Sequence, residues 1–314
     1  MCYYHREKEK ERKRKMEKVQ EVNKVFLITV VTAVVVSLFL GAVPAVQKNS
    51  LLNLLVSQIV YAVPMLIYIA KNRGNMLESL RIRPLRPITV FLLVIFSYLI
   101  TPTLNVLNAI SMLFSTNVIS NSLSDIIKEY PLWVGIVSIG LLPCILEECV
   151  YRGVFFHEYQ KHSPRTGVLL SGLLFGLMHM NFNQFIYAFV MGIIFALLVE
   201  ASDSLLGSVI VHFCINTTSV VLSRMAPAAI TANGRADLLS YIRILFLPAV
   251  VMTVLAFWLL FIITGLERRR GAVAELLKRD NKKRETVVTL PLLLGIGICT
   301  ALMVYVEIIN RFIP

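Results

Sequence analysis

Residues 25–46 read VFLITVVTAVVVSLFLGAVPAV, the first of a series of apolar blocks that leave this chain few folds to choose from. A helix rises about 1.5 Å per residue, so about 20 apolar residues cross the hydrocarbon core of a bilayer. Nine such segments can be placed, at about 25–46, 51–70, 88–110, 132–156, 166–180, 184–200, 204–223, 244–265 and 287–310. The fifth and sixth are short and separated only by MNFN, so the expected count is eight or nine. The chain is 57% hydrophobic, above the roughly 45–50% of a soluble domain. The expected fold is therefore all-α, a polytopic transmembrane helical bundle. A signal peptide has an apolar region of about 7–15 residues. The first block is longer, which predicts an uncleaved span.

The net charge of +12 does not point to nucleic acid. The basic residues cluster at 6–24, 71–86 and 268–284, on the flanks of apolar blocks, where they set topology and attract anionic lipid headgroups. With nine crossings and a cytoplasmic N-terminus, 24 Lys and Arg fall inside and six outside. This orientation obeys the positive-inside rule. The expected organisation is a charged cytoplasmic leader at 1–24, read as a solvated helix, and N-terminal spans at 25–131. A core follows at 132–223, then C-terminal spans with a basic cytoplasmic loop at 224–314. No CxxC pair occurs among the five cysteines, so neither a disulfide framework nor a zinc–thiolate site is expected.

Against this layout a few polar residues stand out. A charged group at mid-bilayer costs about 2.5–3.5 kcal/mol on insertion scales and is a functional-site candidate by default. The candidates are Glu147, Glu148 and Arg152 in the fourth segment, His179 in the fifth, and His212 and Asn216 in the seventh. Counted from the expected cytoplasmic ends, Glu147, His179, His212 and Asn216 lie roughly 12–20 Å deep. They share one layer of the membrane. Glu148 and Arg152 are spaced i, i+4 with the acid first, the favourable order for an ion pair. Glu147 is turned about 100° from Glu148 and shares a face with Tyr151, which leaves it free to face a cavity. His212 and Asn216 are also i, i+4. Phe175 lies one turn before His179 and is placed to pack on its ring.

A free carboxylate, two imidazoles and an amide suit attack of water on an amide carbonyl. Glu147 serves as base, His179 shares the water, and His212 and Asn216 supply oxyanion donors. The same donors, Glu147, His179 and His212, also suit a zinc ion that activates water. Both mechanisms stay open at this point. HEYQKH at 157–162 resembles the zincin motif but has one residue too many. His157 and His162 are i, i+5 and do not share a ligand face.

The motifs EECVYR (147–152), FGLMH (175–179) and HFCIN (212–216) resemble EExxxR, FxxxH and HxxxN of the CPBP intramembrane proteases. That family comprises the type II CAAX prenyl endopeptidases and their bacterial Abi-type relatives, among them bacteriocin-processing and bacteriocin-immunity proteins. The resemblance covers about 132–223. It implies a helical bundle with an active site inside the cell membrane and open to the cytoplasm. It implies that Glu147 works with His179 on water and that His212 and Asn216 stabilise the oxyanion. It also implies a membrane-associated peptide or lipidated protein as substrate. Two other readings are a proton-coupled secondary transporter and a non-catalytic immunity or scaffold protein. No duplicated halves of the transporter kind are visible.

Overall fold

The computed structural model describes residues 2–71, 80–115, 120–225, 235–278 and 287–312. Among these residues the regular structure is helical, with no strand. The principal helices are α1 (Cys2–Gly41), α2 (Ser50–Lys71), α3 (Pro87–Met112), α4 (Leu132–Gln160), α5 (Pro164–Leu177), α6 (Phe182–Ser202), α7 (Leu205–Met225), α8 (Arg235–Leu266) and α9 (Leu290–Phe312). All except α5 are long and apolar enough to cross a membrane, eight among the described residues. Helix α5 has 14 residues, about 21 Å of rise, short of the roughly 30 Å hydrocarbon core. Eight is thus the number of membrane-length helices, and the expected fifth span is a shorter apolar helix.

The bundle is apolar outside as well as inside. Leu38, Phe91, Trp133, Phe246 and Trp258 point outward, while Phe26, Leu93, Phe96, Phe155, Phe175 and Phe195 are buried. An apolar exterior is what a lipid solvent requires, since water is not there to penalise it.

Helix α1 runs unbroken from the charged leader into the first apolar block. Val19, Val22, Phe26, Val30 and Ala33 are buried along one side, spaced three and four residues apart as one face of a helix demands. Asn23 lies on the same side and is fully buried. Its Nδ2 donates to the Val287 carbonyl at 3.0 Å and to Thr289 Oγ1 at 2.8 Å, and its Oδ1 accepts from the Tyr159 hydroxyl of α4. The last turns of the leader are therefore packed into the bundle instead of standing in water.

The MNFN break is a helix stop followed by a start. Met180 adopts a left-handed conformation, φ 51°, after α5 ends. Asn181 then caps α6, its side chain accepting from the Gln184 N–H at 2.8 Å, the role for which asparagine is favoured. This turn reverses the chain, so α5 and α6 pack side by side. They approach closely at Gly172 and Gly192: a Cβ on Gly192 would lie 2.7 Å from Gly172 Cα. We therefore expect Gly192→Val to force the helices apart and cost about 1–3 kcal/mol, the usual range for overpacking. Thermal unfolding in detergent measures it. Gly297→Ala in α9, where nothing lies within 4 Å of the added carbon, is the silent control.

Candidate active site

Helix α4 is not a uniform α-helix. Ile136–Leu141 and Cys149–Phe156 are π-helical, flanking the α-helical turn Leu142–Glu148 that carries both glutamates. Such insertions are rare and tend to occur at functional sites. Pro143 shows how the first one acts. In the π register the Leu142 N–H bonds the Val137 carbonyl, so the Ser138 carbonyl would next meet residue 143, and proline has no N–H to give. In the α register the same proline would fail Ile139. Both carbonyls find side chains from other helices: Gln58 Nε2 of α2 donates to Ser138 O at 3.0 Å, and Asn216 Nδ2 of α7 donates to Ile139 O at 3.2 Å. A missing backbone donor thus fixes two amide side chains on one wall.

The second π stretch starts just after Glu148. Arg152 Nη1 donates to Glu148 Oε1 at 3.1 Å, both side chains being fully buried. Its Nη2 donates to the Gly192 carbonyl of α6 at 2.9 Å. The guanidinium carbon also sits 4.7 Å from the Phe175 ring centroid and 5.1 Å from that of Phe195. Glu148 Oε1 has a second partner, His212 Nδ1, at 3.1 Å. A carboxylate oxygen accepts, so Nδ1 is the donor and Nε2 is the nitrogen left for the site. The Glu147 side chain is 28% exposed. Its Oε2 stands 3.9 Å from His212 Nε2, a gap that one water can bridge.

His179 follows α5 directly. Its Nδ1 lies 2.9 Å from the Phe175 carbonyl, which can only accept, so here too Nε2 remains free. Phe175 is the hub of these rings. It meets Tyr151 edge-on at 5.0 Å, His179 at 5.2 Å and His212 at 5.9 Å. A cavity of about 440 Å³ is lined by Glu147, His179, His212 and Asn216 together with Tyr151 and Phe175. Six helices, α2 to α7, and the α5–α6 turn carry these groups and others of the wall. Glu148 and Arg152 stand behind it, and His157 and His162 do not line it.

Among the described residues no three His, Cys, Asp or Glu side chains converge as a ligand set. Each imidazole has Nδ1 held by a protein acceptor and Nε2 left over, and Glu147 Oε2 and His212 Nε2 stand 3.9 Å apart. The donor geometry gives no support to the zinc mechanism left open above.

The cavity wall also holds amides that the sequence reading passed over: Gln58 on α2, Asn105 and Asn108 on α3, and Gln184 on α6. The signal for them was available. Each is a polar residue inside or at the edge of an apolar block, but none carries a charge whose burial would mark it.

Residues 129–218 match the family model described as type II CAAX prenyl endopeptidase Rce1-like. No curated protein and no solved structure matches the chain. The match encloses EECVYR, FGLMH and HFCIN, so the resemblance drawn from those motifs is shown over these residues.

Proposed function

We propose that this protein is an intramembrane endopeptidase that hydrolyses a peptide bond near the C-terminus of a membrane-associated peptide or lipidated protein. The observation that carries this reading is the convergence of Glu147, His179, His212 and Asn216 on one cavity inside the bundle. The Rce1-like match over the same helices supports it, since that family is one of proteases.

In this mechanism the Glu147 carboxylate takes a proton from a water held between it and the imidazoles. The water oxygen attacks the scissile carbonyl carbon. The carbonyl oxygen gains the negative charge and is met by the Asn216 amide and by His212 Nε2, which donates when the ring carries both protons. As the tetrahedral intermediate collapses, the C–N bond breaks and Glu147 returns its proton to the leaving nitrogen. The products are a carboxylate and an amine. Glu148 and Arg152 act from behind the wall. Glu148 holds His212 in orientation, and Arg152 balances the Glu148 charge. We further propose that the protein sits in the cell membrane with its N-terminus in the cytoplasm, as the basic residues at 6–24 and 71–86 beside the first spans imply.

The test is cleavage of an S-farnesyl CaaX peptide by the purified protein in bilayers, with the cut located by mass spectrometry. An unprenylated peptide of the same sequence runs alongside. Release of a C-terminal fragment is the expected result; neither peptide being cut would overturn the reading. Asn216→Ala is expected to lower kcat about 10²-fold, the scale for loss of one oxyanion donor, with KM little changed.

A further inference from the structure

The cavity wall facing the catalytic helices carries carboxamides, and most of them are engaged. Asn108 Oδ1 accepts from Asn183 at 3.2 Å, and Gln184 bonds both Asn181 and the Tyr187 hydroxyl. Gln58 differs. It is 6% exposed and lines the cavity. Its Nε2 is committed to the Ser138 carbonyl, while its Oε1 has no hydrogen-bond partner. Flipping the amide does not help, because it would set two acceptor oxygens 3.0 Å apart. The orientation is therefore fixed by Ser138, whose carbonyl is free because of Pro143.

A buried acceptor without a donor costs free energy until a donor arrives. The donor most abundant in a peptide substrate is the backbone N–H. Gln58 and Asn216 hang from consecutive carbonyls, Ser138 and Ile139, of the same π turn. Consecutive Cα atoms of a peptide lie about 3.8 Å apart, so neighbouring peptide groups reach neighbouring side chains.

We propose that Gln58 is a substrate-positioning residue: its Oε1 accepts one backbone N–H of the bound peptide beside the scissile bond. Oε1 is shielded at rest. The terminal torsion of glutamine is broad, and a small rotation turns Oε1 to the peptide while Nε2 keeps Ser138. The proposal rests on the protease reading for the peptide's register. It makes the site selective for a main-chain N–H at one position, where proline is excluded.

The experiment measures binding of the S-farnesyl CaaX peptide to Glu147→Ala protein, which keeps substrate intact. Each backbone N–H of the peptide is replaced in turn by an ester oxygen. One ester position is expected to weaken binding about tenfold, and that penalty is expected to vanish in Glu147→Ala/Gln58→Met. A merely structural Gln58 would lower the affinity of every peptide alike and leave the position-specific penalty in place. The proposal is overturned if no position is sensitive in protein that retains Gln58, or if the penalty survives Gln58→Met. The first of these needs no change at Gln58, so misfolding of the variant does not shield the idea. Hydrolysis by Glu147→Ala itself would sink the catalytic reading and leave this one standing.

Discussion

Replacing Glu147 with alanine will reduce peptide turnover by about 10³-fold while leaving the protein folded. General-base catalysis contributes about 10²–10⁴-fold, and in the proposed mechanism the base also returns the proton to the leaving group. Glu147 is the right residue for a clean result. Its side chain is partly exposed and, among the described residues, has no ion-pair partner closer than His212 at 3.9 Å. Removing it orphans nothing in the core, so stability should change by less than about 1 kcal/mol. Single-turnover kinetics on the S-farnesyl CaaX peptide, with unfolding in parallel, separates the two effects. The same variant tells the rival activities apart. A proton-coupled transporter would lose flux across proteoliposomes, and a scaffold would lose nothing. Turnover within tenfold of the unmodified protein removes Glu147 from the chemistry.

Much of this site was legible because lipid makes polar residues conspicuous. In EECVYRG the charges interrupt an apolar run, and their cost marks them. Helical spacing then separated Glu147 from Glu148: the former lines the cavity with Tyr151, and the latter pairs with Arg152 behind it. Depth counting put His179, His212 and Asn216 in one layer, and the cavity joins them. What escaped was the departure from ideal helix. The first π stretch of α4 depends on how the Pro143 gap is filled, and Gln58 and Asn216, which fill it, are 85 and 73 residues distant in sequence by count from that proline. No local window contains that pairing. The docking of the leader was hidden differently. Its charge dominates the composition of 1–24, yet Val19, Val22 and Asn23 extend the apolar stripe of α1 backward by two turns. Hydropathy averaging suppresses a stripe that periodicity would have kept.

Arg152→Ala is expected to destabilise the protein by about 3–5 kcal/mol, the cost of leaving one member of a buried pair unpartnered. The case for a large value is local. Arg152 and Glu148 are both fully buried. Without the guanidinium, the buried Glu148 carboxylate loses its cationic partner, the Gly192 carbonyl loses its side-chain donor, and the rings of Phe175 and Phe195 lose the cation against them. The double variant Glu148→Leu/Arg152→Met replaces charge by apolar volume, which in buried pairs is often neutral or stabilising. It is expected to recover most of the lost stability. Activity should not follow, because His212 Nδ1 then has no carboxylate to hold the ring. Equilibrium unfolding in mixed detergent reads stability, and kcat on the same peptide reads activity. If Arg152→Ala unfolds within 1 kcal/mol of the unmodified protein, the pair does not hold these helices together. If the double variant regains activity along with stability, Glu148 does not orient His212.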